Sequence, residues 1–317
     1  MKASNIGGQA VMEGVMMKNK DRYAVAVRKT NQEIVIDVQD VGTDTKIKKL
    51  REIPFVRGVF NFIDSLVIGM KSLMYSASFF EEETQEQSQE SDDKTNKEET
   101  GIFERIFKDK AESIMLGLTV CFSVVLSIVI FFCLPLLITE VLRKYVTNNE
   151  IAIAISEGII RVGIFIIYVL GISFMKDIQR LFMYHGAEHK CINCIETGME
   201  LTVQNVKKSS KQHKRCGTSF MLFVMIISII FFLFIRLSNP WLRLFSRLLL
   251  IPVIAGVSYE FIRLAGRTDN PVVNLISKPG LWLQRLTTRE PDESMIEVAI
   301  ASVEAVFDWK SFLKENK

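Results

Sequence analysis

The sequence predicts a mainly α-helical membrane protein that crosses the bilayer about four times and carries a small β-rich cytosolic element at its N-terminus. Hydrophobic residues make up 49% of the 317 residues although 24% are charged, so the apolar residues must be concentrated in blocks. A helix rises about 1.5 Å per residue, and a hydrocarbon core is about 30 Å thick. Four apolar blocks are long enough to cross it, at residues 114–138, 151–175, 218–235 and 241–265.

Basic residues indicate how these spans are oriented. The connection 176–217 contains eight Lys and Arg residues, whereas the connection 139–150 contains two. Lys and Arg of short loops stay on the cytoplasmic side, so we expect the basic connection to face the cytoplasm. An even number of spans then places residues 1–113 and 266–317 in the cytoplasm too. No signal-peptide pattern is present near Met1, and we expect a multi-pass protein of the cytoplasmic membrane.

Residues 1–58 are predicted to form the β-rich cytosolic element. Residues 23–27 and 33–38 are rich in β-branched side chains and are separated by a polar turn, which is typical of a hairpin. An earlier single strand is expected over residues 9–17. The glycines at 7–8 and 14, together with Gln9 and Glu13, could form an anion-binding turn, although their spacing is not that of a known phosphate loop.

Residues 59–80 are apolar but gather several polar groups on one stripe of a helix. A fifth span here would turn the basic connection outward, so we predict an interfacial or re-entrant helix. The acidic, polar segment 81–100 is predicted to be a disordered linker. Residues 101–265 then form the transmembrane domain, which includes the 176–217 connection. Residues 266–317 are predicted to form amphipathic cytosolic helices, the second of them capped near Asp292 or Ser294.

All three histidines fall within 29 residues of one another in the basic connection. If residues 178–195 are helical, His185 and His189 project from one face at a spacing that allows two imidazoles to bind one metal. His-x-x-Glu-His is the spacing of inverted zinc hydrolases, in which the glutamate polarises water. We therefore predict Glu188 as the catalytic base and a divalent metal, with zinc the first choice. The candidate ligands are His185, His189, His213 and Cys216, with Glu196 as a further candidate for the third position.

Two other interpretations compete at this connection. The pairs Cys191/Cys194 and His213/Cys216 resemble the paired knuckles of a structural zinc ribbon, which would be closed and non-catalytic. Alternatively, the histidines are interfacial or core residues that bind no metal. Disulfides are not expected, because the cytoplasm is reducing.

Charged residues also occur within the predicted spans. Glu157 and Arg161 are spaced one helical turn apart and can neutralise each other. Alternatively, these residues and Glu260 could line a polar interior that receives a substrate or a lipid headgroup, as in a transporter.

These features predict two classes of function. The first is a metal-dependent hydrolase that acts on a peptide or a lipid-linked headgroup. The second is a non-enzymatic membrane scaffold or partner-binding protein, with or without a structural metal in the cytoplasmic connection. The lipid bilayer is the expected environment, and membrane or cytosolic proteins are candidate partners. No nucleic-acid partner is expected.

Six segments resemble the YqhQ family of bacterial membrane proteins, whose role is uncharacterised and whose members are described as predicted metal-dependent enzymes. The resemblance covers nearly the whole chain. It implies a site at His185, Glu188, His189, His213 and Cys216, and it does not include Cys191 or Cys194. The segments are residues 7–17, 54–58, 73–77, 184–190, 215–220 and 284–292.

Overall fold

The computed structural model describes residues 3–42, 52–90, 115, 117–235, 237, 239–268 and 270–316. Within these ranges the protein is mainly helical, as predicted, with ten helices and one four-stranded sheet. The helices are α1 Val56–Glu90, α2 Gly117–Tyr145, α3 Glu150–Ile172, α4 Lys176–Glu196, α5 Val203–Lys208, α6 Gly217–Phe234, α7 Pro240–Ala265, α8 Pro271–Thr287, α9 Glu293–Val306 and α10 Trp309–Glu315. Helix α2 contains one π-helical turn, Val129–Cys133.

Four helices are long and apolar enough to cross a membrane, which confirms the predicted number of spans. They are α2, α3, α6 and the Trp241–Ala265 part of α7. Helix α2 continues beyond the predicted end at residue 138, because the charged residues of its last turns form ion pairs with residues near the starts of α3 and α7. Arg143 pairs with Glu150, and the Glu140 carboxylate accepts a hydrogen bond of 2.9 Å from Arg243. Residue 114, where this span was predicted to begin, lies outside the described residues.

The sheet is an antiparallel meander in the order β1 Gly7–Val11, β2 Gly14–Asn19, β3 Arg22–Arg28 and β4 Ile34–Asp40. Strands β3 and β4 confirm the predicted hairpin. The prediction of one strand over residues 9–17 is wrong, because the chain reverses at residues 12–13. Glu13 adopts a left-handed φ of 48°, and this tight turn divides the segment into β1 and β2.

Both faces of the sheet are covered by helices. On one face, Val15, Met17 and Ala26 pack against buried residues of α4 and α9. On the other face, Val25 packs in a cluster with Ile68 of α1. The N-terminal sheet, the 176–217 connection and the C-terminal helices therefore form one unit at one end of the four apolar helices. That arrangement agrees with an even number of spans, while the orientation of this unit toward the cytoplasm stays a prediction.

Helix α1 covers the segment predicted as an interfacial or re-entrant helix and continues to Glu90. It therefore extends ten residues into the segment predicted as a disordered linker, which is rich in Glu and Gln, residues that favour helices. Residues 91–100 and the first residues of the predicted transmembrane domain, 101–114, lie outside the described residues.

The predicted C-terminal helices are present as α8 and α9, followed by the short α10. Asp292 is the N-cap of α9, as predicted. Its carboxylate accepts hydrogen bonds from the Met295 N–H at 2.9 Å and the Ser294 hydroxyl at 2.7 Å. Burial alone would raise the pKa of Asp292, but these hydrogen bonds outweigh it and lower the pKa below its usual value.

We expect Asp292→Ala to lower the thermal unfolding midpoint, since losing an N-cap costs about 1 kcal/mol and α9 lies in the core shared by the sheet and α4. A carboxylate whose pKa is lower in the folded state stabilises the fold above its unfolded pKa of about 3.9. The difference between wild type and Asp292→Ala should therefore shrink as pH falls through the folded pKa. Tryptophan fluorescence of the detergent-purified protein over a pH series would measure this. Asp292→Asn keeps a capping oxygen and is the control; an equal loss in both variants would contradict the cap as the cause.

Candidate metal centre

Helix α4 presents His185 and His189 from one face, as the predicted helix requires, with their ring centroids 4.4 Å apart. Cys216, the N-cap residue of α6, meets them, and its Sγ lies 3.3 Å from Nε2 of His185. The ligand atoms of these three residues all lie within 4.8 Å of one another. Within the described part of the chain, no other group of three or more His, Cys, Asp or Glu residues has this geometry.

Backbone carbonyls orient both imidazoles. Nδ1 of His185 donates to the Thr287 carbonyl at 2.8 Å, and Nδ1 of His189 donates to the Lys211 carbonyl at 2.7 Å. Because a carbonyl oxygen can only accept, each Nδ1 must carry a proton. Each Nε2 is thereby left as the ring atom available to a metal, which is the arrangement found around metal-binding histidines.

The environment of Cys216 favours a thiolate. Burial alone would raise the pKa of the thiol, but His185 and His189 outweigh it and hold this pKa well below its usual value. Its sulfur also accepts a hydrogen bond of 3.3 Å from the Thr218 N–H at the start of α6, where the helix dipole favours negative charge. Burial alone would lower the pKa of His185, whereas the Cys216 thiolate raises it to about 9.

Glu188 lies on α4 between the two histidines and is only 5% exposed. Burial raises the pKa of its carboxyl group, and the Gly8 N–H of β1 hydrogen-bonds to it. A Cβ atom at Gly8 would lie 2.5 Å from the Met16 carbonyl oxygen and 3.0 Å from Cγ of Glu188, so glycine permits both close approaches. The proposed anion-binding turn at residues 7–9 is thus part of a strand, and the anion it meets is the protein's own Glu188.

His213 and Glu196 remain outside the group of three. The His213 ring is near His189, with centroids 5.8 Å apart, but its Nε2 faces a Glu196 oxygen at 3.5 Å. Burial lowers the pKa of His213. Glu196 is occupied further by the Ser4 hydroxyl at 2.7 Å and by Arg215, so neither candidate is presented to the sulfur of Cys216.

The zinc-ribbon alternative is not assembled. Cys191 and Cys194 are fully buried in the apolar core that joins the sheet to α4 and α9. The Cys194 thiol donates to the Glu200 carbonyl at 3.4 Å. The two residues project from α4 into packed side chains, and they form no ligand group with His213 and Cys216 among the described residues.

Residues 287–289 pack on α4 at Gly186, the position that weakens the helix propensity of the motif. A Cβ atom at Gly186 would lie 2.0 Å from the Arg289 carbonyl oxygen. The Arg289 N–H donates to the Phe182 carbonyl at 2.9 Å, which holds this segment against the helix. The Thr287 carbonyl is thereby positioned beside His185.

Sequence reasoning missed the residues that support the site. Gln284 is fully buried and brackets His213, since its side chain accepts from the His213 N–H at 2.8 Å and donates to the His213 carbonyl at 2.7 Å. The roles of the Thr287 and Lys211 carbonyls cannot be inferred from residue type, because every residue has a backbone carbonyl. Gln284 and Thr287 do lie in one of the segments that carried the family resemblance, which was the available signal.

Comparison with known proteins places the chain beside uncharacterised ones. A family model described as "Protein of unknown function (DUF1385)" matches residues 53–309. The chain is 35% identical over 319 aligned residues to the "Uncharacterized protein YqhQ" of Bacillus subtilis (strain 168), covering 98% of this chain and 95% of that protein. No solved structure gives a significant match.

We expect Gly186→Ala to lower the unfolding midpoint, because the added methyl group must displace the Arg289 carbonyl, and such overpacking costs about 1–3 kcal/mol. Gly163→Ala is the matched control, since a Cβ atom there meets nothing within 4 Å. Alanine favours a helix over glycine by about 0.5–1 kcal/mol, so the control should be neutral or more stable. Equal midpoints for the two variants would show that the close approach at Gly186 is not needed.

Proposed function

The chain belongs to the DUF1385 family, whose function is unknown, and we propose that it is a metal-dependent membrane hydrolase. In this proposal His185, His189 and Cys216 bind a divalent metal, with zinc the first choice. The observation that supports it is the convergence of three ligand atoms within 4.8 Å, two of them on imidazoles already oriented by backbone carbonyls.

The donor set fits zinc chemically. Imidazole nitrogen and thiolate are preferred zinc ligands, and catalytic zinc sites use three protein ligands and keep one position open. The oxygen-rich sets that magnesium or calcium require are not offered by two imidazoles and a thiolate. When bound, a zinc ion supplies Lewis acidity that activates water and polarises a carbonyl or phosphoryl oxygen.

Glu188 is proposed as the general base. It shares α4 with both histidines and does not belong to the group of three. In the proposal its carboxylate accepts a proton from water. The Gly8 N–H fixes that carboxylate from the side of the sheet. The His213 ring lies next to the His189 ring, and Gln284 binds the His213 backbone. His213 is proposed to support His189 rather than to act as a ligand.

The position of the site suits a substrate at the membrane border. Cys216 directly precedes the apolar helix α6. Helix α1, whose opposite face packs on the sheet, carries an exposed apolar stripe at the helical spacing of an interfacial helix. A membrane-attached peptide or a lipid-linked headgroup would both reach such a site, and we propose that α1 lies in the bilayer interface beside it. The stripe consists of Ile63, Leu66, Val67, Met70, Leu73 and Met74.

A non-enzymatic role rests on the same residues. A metal at His185, His189 and Cys216 would tie the middle of α4 to the start of α6. It would thus fix the unit formed by the sheet, the 176–217 connection and the C-terminal helices to the membrane helices. In that scaffold the metal would be structural, and Glu188 would only hold Gly8.

We expect detergent-purified wild type to contain about one equivalent of zinc. The metal should be lost in His185→Ala, His189→Ala and Cys216→Ser, because three ligands are the minimum for a protein zinc site. Elemental analysis would measure this after purification without chelator and with added zinc. Cys191→Ser/Cys194→Ser is the control and should keep its metal. No metal in any sample would overturn the proposal.

Cobalt loading and a hydroxamate then separate the enzyme from the scaffold. Cobalt-loaded wild type should show a thiolate-to-metal charge-transfer band that Cys216→Ser lacks. Acetohydroxamate should shift the cobalt spectrum only if a coordination position is open. Glu188→Gln should keep metal and spectrum but lose turnover of a panel of chromogenic ester, amide and phosphoester substrates. A spectrum unchanged by hydroxamate would favour the scaffold.

We expect spin labels at positions 66, 70 and 74 of α1 to be accessible to oxygen and protected from a water-soluble nickel reagent, because this stripe faces lipid in the proposal. The labels would be placed one at a time in a Cys121→Ala/Cys133→Ala background and measured by power saturation in nanodiscs. Position 31, which is exposed in the turn between β3 and β4 and lies outside α1, is the control. Water-like accessibility at all four positions would exclude the interfacial placement.

A further inference from the structure

A buried charged cluster lies between α3, α6 and α7, at the end of the helices opposite the candidate metal centre. It consists of Glu157, Arg161 and Arg247, which are 3%, 5% and 5% exposed. Arg161 donates to a Glu157 oxygen at 2.8 Å, and Arg247 binds both Glu157 oxygens, one of them at 2.7 Å. Arg161 was expected to neutralise Glu157, but Arg247 adds a second positive charge. One negative and two positive charges leave the cluster with a net charge of +1. Glu260 does not belong to this cluster, since it pairs with Arg57.

The hydrogen-bonding capacity of Arg161 is not used up. Its Nε is buried and has no hydrogen-bond partner among the described residues, and its Nη1 reaches only Ser228 at 3.4 Å. The guanidinium lies over the rings of Phe132 and Phe232, at 5.3 and 5.2 Å from their centroids. Aromatic faces offset part of the cost of a buried cation but accept no hydrogen bond of ordinary strength. A buried guanidinium with an unused donor and an excess positive charge has the chemistry of an anion site.

The arginines lean toward the surface of the bilayer. Helices α3 and α7 both begin at this end of the bundle, and side chains of a helix tilt toward its N-terminus. Glu157 lies seven residues from the start of α3, or about 10 Å of helix, and Arg161 lies about 16 Å from it.

Helix α2 is the least buried of the four spans. Only 11% of its most apolar stretch is buried, against 28–33% for the other three spans. Phe132, the ring over Arg161, lies in the π-helical turn Val129–Cys133, and single π-turns often occur at functional sites. One helical turn before Arg247, nearer the start of α7, Arg243 pairs with Glu140 at 2.9 Å.

We propose that Arg161 and Arg247 bind an oxyanion of the phosphate class, supplied by an acidic lipid headgroup or by a soluble phosphate compound. The ligand would take up the unused donors of Arg161 and balance the net charge of the cluster. This proposal is independent of the metal centre, because no residue is shared.

The test compares the stabilisation that each probe confers. Thermal midpoints of detergent-purified wild type would be measured by tryptophan fluorescence with phosphatidylglycerol, with diacylglycerol, and with inorganic phosphate. A ligand that binds only the folded state raises the midpoint with its concentration. We expect phosphatidylglycerol or phosphate to raise it and diacylglycerol, which lacks a phosphate, to leave it unchanged.

Arg161→Gln is the informative variant, because it leaves the neutral pair of Glu157 and Arg247. It should fold, should be at least as stable as wild type without lipid, and should bind the phosphate probe at least about tenfold more weakly. Glu157→Gln raises the net charge of the cluster to +2 and should bind it more tightly. A purely structural cluster would be destabilised by both changes and would show no such opposite effects. Arg247→Gln is the second test of weakened binding should either variant fail to fold.

Each outcome decides the proposal. A shift with phosphate alone assigns a soluble ligand, and a shift with phosphatidylglycerol only assigns a lipid headgroup; both support the site provided that Arg161→Gln or Arg247→Gln reduces the shift. No shift in wild type, or the same shift in wild type and both arginine variants, would overturn it.

Discussion

Residues 287–289 run along α4 so closely that a side chain at Gly186 would overlap the Arg289 carbonyl. This contact sets the geometry of the candidate site, because the Thr287 carbonyl it delivers is the acceptor that fixes the His185 ring. A different backbone segment, residues 210–212, fixes the His189 ring through the Lys211 carbonyl. Asn193 holds that segment through hydrogen bonds to the Ser210 and Gln212 carbonyls, at 2.6 and 2.9 Å. Two tertiary contacts therefore orient both rings in the absence of any ligand.

The N-terminal sheet has a structural role at the same helix. Within its first 13 residues the chain meets α4 at three levels. Glu13 pairs with Arg180, the Gly8 N–H binds Glu188, and the Ser4 hydroxyl donates to Glu196 at 2.7 Å. Earlier residues of the N-terminal segment meet later residues of α4, because β1 runs antiparallel to the helix. A small sheet that would be marginal by itself thus gains stability from a helix that carries the site, and in return positions the buried carboxylate of Glu188 beside the histidines.

Sequence alone could predict what depends on local pattern. The four spans follow from apolar length, and the shared face of His185 and His189 follows from the helical period. The choice among Cys216, His213 and Glu196 could not be predicted, because it depends on how residues 197–215 fold back onto α4. Arg247 was missed for the same reason, since it reaches Glu157 across 90 residues of sequence. The hairpin turn was missed because it places Glu13, a residue without strong turn preference, in a left-handed conformation.

Helix α6 contributes to both charged sites, and its length explains why they can be studied separately. Cys216 caps its first turn, whereas Ser228 and Phe232 contact Arg161. Ser228 lies twelve positions after Cys216, or about 18 Å along the helix. Beyond Thr218 and Ser219, the intervening side chains are apolar and include the buried Leu222 and Phe223. Loss of the thiolate at one end therefore leaves the hydrogen bonds of the arginine cluster intact, and failure of either proposal carries no consequence for the other.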